Sequence, residues 1–224
     1  MGMPDLLKEK AMFDRMEKKL YSAVISDILD EVGVRNHSLN HLIRPIRTDM
    51  VLAGRAMPII SSKVFEIPDD PYKLSIEVLD SLRPNEVPVI VTNNDSTTAM
   101  WGELFSTASR ARGARGTIIE GFSRDTRKIM EMDYPLFCTG TMPTDSKGRA
   151  EFIKYGHQVR CGDVIIQPRE IVFADLDGIV AIPKELEKEV LDRAYEKASK
   201  ENTVRTELLN GALLGEAWRK HGVL

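Results

Sequence analysis

The spacing of apolar residues along the chain predicts helices at both ends and alternating strands and helices between them. Residues 5–32 carry apolar side chains at helical spacing, with Lys and Glu between them, and Gly33 closes this helical region. Short apolar runs bounded by Gly, Pro and Asp predict strands. These runs lie at residues 53–60, 87–92, 117–119, 134–138, 158–159, 164–167, 171–174 and 179–182. Further helices are predicted at residues 74–82, from about residue 102, at 126–132, from Pro183 onward and at 201–221.

The order of these elements predicts an α/β fold. Residues 61–71 and 139–148 are polar and bear prolines, so we expect loops there. The polar run N-N-D-S-T at residues 93–97 is expected to cap the helix that begins near Gly102. Helices come first, mixed elements follow, and a cluster of short strands precedes the last helices. This order predicts one layered α/β domain over residues 1–224, with helical segments at both termini.

Composition narrows the class of protein. The chain has 224 residues and a net charge of −3, which argues against an extended nucleic-acid surface. No apolar run approaches the roughly 20 residues needed to cross a bilayer, and the N-terminus lacks the apolar core of a signal peptide. Two cysteines, Cys138 and Cys161, form neither a disulfide framework nor a metal motif. We therefore expect a reduced, cytoplasmic protein that binds neither nucleic acid nor membrane.

The stretch from Trp101 to Asp125 carries the candidate chemistry. The helix that begins near Gly102 offers backbone N–H groups and a partial positive charge to an anion. After the apolar strand, Gly121 opens a loop that presents Arg124 and Asp125 side by side. An arginine can bind a carboxylate through two parallel hydrogen bonds, and an aspartate is a hard oxygen ligand for a cation. Together they predict a site for a carboxylate substrate beside a divalent cation.

Several spaced motifs resemble one known family. They are W-G-E-L-F-S-T-A-S-R-A-R-G-A-R-G-T-I-I-E-G-F-S-R-D at 101–125, Y-P-L-F at 134–137 and A-D-L-D-G-I-V-A-I-P at 174–183. This set is similar to the family that unites the regulator of ribonuclease activity A with the 4-hydroxy-4-methyl-2-oxoglutarate aldolases, from about Ser22 to about Leu209. The resemblance implies a ββα swivelling-domain-like fold and a homotrimer or a dimer of trimers. It also implies metal-dependent (class II) cleavage of a small 2-oxo acid to pyruvate, at a site between subunits.

The resemblance assigns roles to individual residues. Asp125 matches the metal ligand, for Mg²⁺ or Mn²⁺, and Arg124 matches the arginine that holds the keto and carboxylate oxygens of the substrate. Glu103 matches an acid that reaches the metal through water. Glu201 matches, least securely, a C-terminal acid donated by the neighbouring subunit. The substrate-binding set implied by the resemblance is Gly102, Glu103, Leu104, Phe105 and Arg124, with the backbone N–H groups of Leu104 and Phe105 on the pyruvyl carboxylate.

The resulting hypothesis is a lyase that cleaves 4-hydroxy-2-oxo acids such as 4-hydroxy-4-methyl-2-oxoglutarate, with oxaloacetate decarboxylation as an accompanying reaction. Arg124, Glu103 and Glu201 are its candidate catalytic residues, and Glu201 or a group steered by Glu103 is the candidate base. The chain departs from the family pattern outside these residues. The departures are Glu120-Gly121, Ser123, Cys138 and Pro168-Arg169-Glu170, and they leave the exact substrate open.

Each candidate residue also has a structural interpretation. Arg124 and Asp125 alone are equally compatible with a surface ion pair, and Glu103 alone with a residue that complements the helix dipole. Glu201 is compatible with a solvated helix face. Asp175 and Asp177 resemble a metal-binding run, but their place between two apolar strands favours a hairpin turn. The alternative function is a non-catalytic regulator that binds a ribonuclease or another protein; the presence of Glu103, Arg124 and Asp125 favours the lyase.

Overall fold

The computed structural model describes residues 2–223. Seven helices lie in this range, and a 3₁₀ turn at Lys184–Leu186 leads into the sixth. The helices are α1 (Met3–Lys19), α2 (Ser22–Glu31), α3 (Lys73–Ser81), α4 (Glu103–Ala111), α5 (Thr126–Glu131), α6 (Glu187–Leu209) and α7 (Leu214–His221).

The described residues form eleven strands in two sheets. The strands are β1 (Arg44–Pro45), β2 (Leu52–Lys63), β3 (Glu86–Val91), β4 (Ala99–Trp101), β5 (Thr117–Ser123), β6 (Leu136–Thr141), β7 (Ala150–Tyr155), β8 (Val159–Cys161), β9 (Val164–Ile166), β10 (Ile171–Ala174) and β11 (Ile179–Ile182). Strands β8 and β9 form a separate two-stranded hairpin.

The main sheet has the order β1-β6-β5-β3-β2-β10-β11. Strands β2, β3, β5 and β6 run parallel, and β10 and β11 add an antiparallel hairpin beside β2. Strand β4 pairs with the end of β5, and β7 pairs with the far end of β2. The parallel strands β3 and β5 therefore end at the same edge, where the candidate residues lie.

Apolar residues pack on both faces of this sheet. On one face, α1, α2 and α6 bury Phe13, Ile25 and Val190 against strands β10 and β11. Elsewhere on this face, α3 and the start of α4 surround Trp101, which is only 2% exposed. The other face of the sheet packs against the β8–β9 hairpin. The helices at the two ends of the chain thus pack together, and the middle helices border the candidate site.

The α/β class with helical segments at both ends is confirmed, and most predicted elements are present. The predicted cap at residues 93–97 is wrong. Strand β4 lies between that run and α4, and Gly102 is the N-cap residue, with an extended backbone. The predicted start of a loop at Gly121 is also wrong, because β5 continues through Gly121 to Ser123 in the same sheet.

Other predicted boundaries also shift, because pairing partners far along the chain extend the strands. The predicted loop at 61–71 loses its first residues to β2, which pairs there with β7. Strand β7 itself was not predicted. Strand β6 extends into the predicted loop at 139–148. Helix α6 continues through Glu201 to Leu209, so the last helical stretch does not begin at 201.

The turn between β10 and β11 is structural, as predicted. The carboxylate of Asp175 accepts hydrogen bonds from the backbone N–H of Ser22 (2.7 Å) and from its hydroxyl (2.6 Å). Asp177 donates its backbone N–H to the same carboxylate, at 3.0 Å. This turn fixes the start of α2 against the sheet.

Within residues 2–223, no helix is long and apolar enough to cross a membrane.

Candidate active site

The site begins where β4 passes into α4. Gly102 ends the strand segment in an extended conformation, and Glu103 is the first residue of the helix. The indole N–H of Trp101 donates to the hydroxyl of Ser106 at 2.8 Å, which fixes the strand against the first turn. The first N–H groups of an α-helix have no acceptor within it. Those of Leu104 and Phe105 are therefore available to an anionic ligand.

The end of β5 brings Arg124 and Asp125 to this helix N-terminus. The backbone N–H of Arg124 donates to the carbonyl of Trp101 at 2.9 Å. Asp125 has a left-handed backbone, with φ of 57°, a conformation that aspartate adopts more readily than most residues. Its Oδ2 accepts the backbone N–H of Glu103 at 3.2 Å and lies 3.7 Å from Nε of Arg124. The predicted pair therefore meets the predicted helix end.

Gly102 is required by this close approach. A Cβ atom placed on Gly102 would lie 2.7 Å from Oδ2 of Asp125 and 3.3 Å from Cγ of Arg124. The first of these distances is shorter than any ordinary contact between a carbon and an oxygen. The side chain of Asp125 thus occupies the space that any other residue at position 102 would fill.

These residues line a pocket of about 330 Å³. Its walls come from the starts of α3 and α4, from β4, from the end of β5 and from the loop between β6 and β7. The lining residues are Tyr72, Ile76, Ala99, Met100, Trp101, Gly102, Leu104, Phe105, Arg124, Asp125, Asp145 and Ser146. A second hollow on the other side of Arg124 and Asp125 is lined by Thr126, Thr141, Met142 and Pro143.

Two polar residues of the pocket, Tyr72 and Asp145, were not predicted. Oδ1 of Asp145 lies 3.1 Å from Nη1 of Arg124, and its Oδ2 accepts the hydroxyl of Tyr72 at 2.7 Å. Partial burial opposes ionisation of Asp145, but the hydrogen bond from Tyr72 and the charge of Arg124 outweigh it and lower its pKa. Burial, together with Asp145, raises the pKa of Tyr72 to about 12. Tyr72 therefore remains a hydrogen-bond donor at neutral pH, and Asp145 remains ionised.

No local signal identified either residue. Tyr72 lies in the polar run D-D-P-Y-K, and Asp145 lies in T-M-P-T-D-S. The sequence of both runs predicts loops, and the two side chains come together through contacts between segments that are distant along the chain. The left-handed backbone of Tyr72, with φ of 67°, is visible only in the structure.

The two predicted catalytic acids, Glu103 and Glu201, lie outside the pocket lining. The carboxylate of Glu103 accepts the hydroxyl of Thr107 at 3.0 Å, one helical turn along α4. Glu201 lies in α6, away from both hollows that Arg124 and Asp125 line. Its side chain is partly buried, and this burial raises its pKa. Within one chain the structure therefore brings Gly102, Leu104, Phe105, Arg124 and Asp125 together, but not Glu201.

The donor atoms fit a weakly held, hydrated cation. The described contacts of Asp125 with its neighbours use Oδ2, so Oδ1 remains as a hard oxygen donor. Residues 2–223 contain no cluster of three or more His, Cys, Asp or Glu side chains placed to hold a metal ion. A cation at Asp125 would therefore keep several waters, which is the habit of Mg²⁺.

The two thiols are unsuited to nucleophilic chemistry. Both are buried. Burial raises the pKa of Cys138 to about 11 and that of Cys161 to about 12. A thiol acts as a nucleophile through its thiolate, and these two are protonated at neutral pH.

Comparison with known proteins finds relatives that are similar in sequence. Protein DlpA of Legionella pneumophila is 28% identical over 196 residues, which are 88% of this chain and 31% of DlpA. The chain thus spans about a third of the length of that relative. A Halalkalibacterium halodurans protein named "Putative 4-hydroxy-4-methyl-2-oxoglutarate aldolase" is 28% identical over 173 residues, 77% of each chain.

A solved structure shares the architecture. RraAS2 of Streptomyces coelicolor, described as an unusual member of the RNase ES inhibitor RraA protein family, superposes with a TM-score of 0.76. It is 24% identical, over 86% of this chain and 96% of that chain. The family model described as RraA-like, Aldolase/RraA, matches residues 22–181, which contain the whole pocket. The chain therefore belongs to the Aldolase/RraA family.

Proposed function

We propose that this protein is a divalent-metal-dependent lyase that cleaves 4-hydroxy-2-oxo acids to pyruvate. The observation that carries this proposal is the meeting of three groups at one pocket: the N-terminus of α4, the guanidinium of Arg124 and the carboxylate of Asp125. An anion site, a fixed positive charge and a hard oxygen donor are what a 2-oxo acid needs for enolate formation. The name of the Halalkalibacterium relative supports the same class of reaction.

Each residue has a distinct role in this proposal. The N–H groups of Leu104 and Phe105 hold the carboxylate of the pyruvyl group. Arg124 places its charge beside the keto oxygen, where negative charge develops as the C3–C4 bond breaks. Asp145 and Tyr72 hold Arg124 in position. Asp125 holds the divalent cation, which when bound supplies Lewis-acid stabilisation of that same charge.

Aldol cleavage also needs a base for the hydroxyl proton at C4. Burial raises the pKa of Glu201, which brings its carboxyl closer to the pKa that suits a base at neutral pH. Glu201 lies away from the pocket of its own chain, so this role requires a neighbouring subunit. Decarboxylation of oxaloacetate releases CO₂ and needs no such base.

The proposal is tested by measuring pyruvate release from 4-hydroxy-4-methyl-2-oxoglutarate and from oxaloacetate. We expect release with Mg²⁺ or Mn²⁺, loss with excess chelator, and a fall of at least about 100-fold in Asp125→Ala, as for other groups that stabilise transition-state charge. The matched control is Asp163→Ala, an exposed aspartate in the β8–β9 turn, which should keep full activity. Release no greater than that of the metal alone, from a folded oligomer, would contradict the proposal.

The second candidate is a regulator that binds a protein partner. The description of RraAS2, which names its family as RNase ES inhibitors, is compatible with such a role. Exposed apolar side chains at the end of the chain favour it: Leu209 is 83% exposed and Trp218 is 49% exposed. Large exposed apolar residues on neighbouring helices are typical of contact surfaces. The regulator function becomes the better supported of the two if the protein cleaves no pyruvyl acid. Co-purification with a ribonuclease would then test it.

A further inference from the structure

The walls of the pocket divide into a polar side and an apolar side. The polar groups are Arg124, Asp125, Asp145, Ser146 and the N-terminus of α4. The apolar side consists of the side chains of Ile76, Met100, Trp101, Leu104 and Phe105. The pyruvyl end of a substrate uses the polar side, so the rest of the substrate faces the apolar side.

Aromatic packing holds the apolar side in place. The rings of Trp101 and Phe105 meet edge to face, with centroids 5.6 Å apart. The ring of Phe152 supports Phe105 from behind at 6.5 Å. Such aromatic pairs attract each other beyond the effect of their buried area, which makes this wall a fixed surface.

The charges of the pocket leave no partner for a second substrate carboxylate. Among the lining residues described, Arg124 is the single cation, and Asp125 and Asp145 are carboxylates, so +1 and −2 leave a net charge of −1. A divalent cation at Asp125 would change this charge to +1, which the pyruvyl carboxylate of the substrate cancels. Arg124 already lies 3.1 Å from Asp145 and faces the pyruvyl group. A distal carboxylate would lose water against apolar walls without a partner, which is strongly unfavourable.

The exposed apolar residues at the rim fit an apolar occupant. Ile76 is 54% exposed and Leu104 is 75% exposed, and both lie beside the entrance. An alkyl or aryl group between them removes apolar surface from water, which favours binding. A carboxylate in the same place gains nothing from that surface.

We propose, on the basis of the proposed function, that the substrates are 4-hydroxy-2-oxo acids whose C4 substituent is an uncharged alkyl or aryl group. In their cleavage the C3–C4 bond breaks and its electron pair stays on C3. The C4 hydroxyl loses its proton to the base, C4 becomes a carbonyl carbon, and C3 takes up a proton. The products are pyruvate and an apolar aldehyde or ketone, and no oxidant or reductant is consumed.

Binding of uncleavable analogues tests the pocket without catalysis. The probes are 2-oxo-4-phenylbutanoate and 2-oxoglutarate, which lack the C4 hydroxyl and differ at C4 in carrying a phenyl group or a carboxylate. We expect the phenyl acid to bind at least about tenfold more tightly in calorimetric titration with Mg²⁺ present, a difference of about 1.4 kcal/mol. Equal or tighter binding of 2-oxoglutarate would overturn the inference.

Two lysine variants make the test specific to the pocket. Ile76→Lys places a cation on the apolar wall and should shift the ratio of the two affinities at least about fivefold toward 2-oxoglutarate. Ile153→Lys is the matched control, because Ile153 in β7 is 55% exposed, close to the 54% of Ile76, and lies outside the pocket. An equal shift in both variants would contradict the inference.

Turnover then separates this inference from the proposed function. We expect kcat/KM for 4-hydroxy-2-oxo-4-phenylbutanoate to exceed that for 4-hydroxy-4-methyl-2-oxoglutarate at least about tenfold, with pyruvate and benzaldehyde formed in equal amounts. Preference for the dicarboxylate would overturn the inference and leave the lyase intact. Absence of pyruvate from all substrates, oxaloacetate included, would overturn the proposed function itself, whereas the binding ratio would still report on the pocket.

Discussion

Gly102 and Asp125 lie so close together that there is no room for a methyl group at position 102. A Cβ atom on Gly102 would lie 2.7 Å from Oδ2 of Asp125. We expect Gly102→Ala to displace this carboxylate and to lower pyruvate release by roughly 10- to 100-fold, because misplacement by about 1 Å can cost that much. The free energy of unfolding, measured in urea, should change by only about 1 kcal/mol.

The matched control is Gly215→Ala in α7. A Cβ atom at Gly215 meets nothing within 4 Å, and alanine favours a helix over glycine by up to about 1 kcal/mol. This variant should therefore keep full activity and the same or slightly higher stability. A fully active Gly102→Ala protein would mean that the position of Asp125 does not matter for the reaction.

Tyr72 acts on the site through Asp145. In Tyr72→Phe, Asp145 loses the hydrogen bond that lowers its pKa. We expect kcat/KM to fall roughly two- to tenfold, the equivalent of one ordinary hydrogen bond. The ionised form of Asp145 holds Arg124, so the acid limb of the pH profile should also move to higher pH, since a carboxyl with a less depressed pKa takes up its proton earlier as pH falls.

Tyr155→Phe controls for the loss of a tyrosine hydroxyl. Tyr155 donates to Glu77 at 2.8 Å, outside the pocket. Its removal should leave both kcat/KM and the acid limb unchanged. An acid limb that shifts equally in both variants would exclude Asp145 as the titrating group.

The sequence located the charged pair of the site, but not the residues that position it. Arg124 and Asp125 follow a buried strand, and Gly102 precedes a helix, so local pattern was enough. Tyr72 and Asp145 are 73 positions apart and meet through their side chains alone. A pattern read along the chain carries no information about such a pair.

Several elements are joined by a charge cluster around Arg55 of β2. Nε of Arg55 lies 2.7 Å from Glu9 of α1, and its Nη1 pairs with Glu187, the first residue of α6. The three side chains are 12%, 9% and 18% exposed, respectively. Two helices that lie far apart in the sequence are thus tied to one strand.

We expect Arg55→Met to lower the free energy of unfolding by about 3 kcal/mol, because two largely buried carboxylates lose their shared partner and Glu9 is left with Arg169, at 3.3 Å. Arg127→Met is the matched control, since Arg127 is 90% exposed and pairs with Glu131 on the surface of α5. Its effect should stay within about 0.5 kcal/mol. The free energies of unfolding of both variants are measured by urea titration. An equal decrease in both variants would show that the Arg55 cluster adds no stability.

The missed elements are those whose existence depends on a distant partner. Strand β4 has three residues and pairs with the end of β5. Strand β7 is partly exposed and polar, and it is held by the extended end of β2. Long apolar runs such as β3, whose residues are all buried, were predicted because burial on both faces leaves a signature in the sequence.

At the scale of the whole molecule, the proposed role of Glu201 requires more than one chain. We expect neither Asp125→Ala nor Glu201→Gln alone to cleave a 4-hydroxy-2-oxo acid. Co-expressed, they should form mixed oligomers in which about a quarter of the sites combine an intact Asp125 with an intact Glu201 from the neighbouring subunit. Recovery of roughly that fraction of wild-type activity, in an oligomer sized by light scattering, is the expected result.

Oxaloacetate supplies the control for this experiment. Its decarboxylation needs no hydroxyl base, so Glu201→Gln alone should retain it while Asp125→Ala does not. If Glu201 served only its own chain, every subunit of the mixed oligomer would carry one inactivating substitution, and aldol cleavage would not recover. Full aldol activity of Glu201→Gln would remove Glu201 from the mechanism.

The pairing of β2 affects how the protein folds while it is being synthesised. One edge of β2 pairs with β3, which follows soon after it, but the other edge pairs with β7 and β10, which are made much later. At a ribosomal rate of about 5–20 residues per second, the chain between Lys63 and Ile171 takes roughly 5–20 s to synthesise. Throughout that time the nascent chain exposes an open strand edge, the kind of surface that invites aggregation. We therefore expect folding to finish only at the end of translation, and release of chains truncated before β10 to yield aggregates and clients of chaperones.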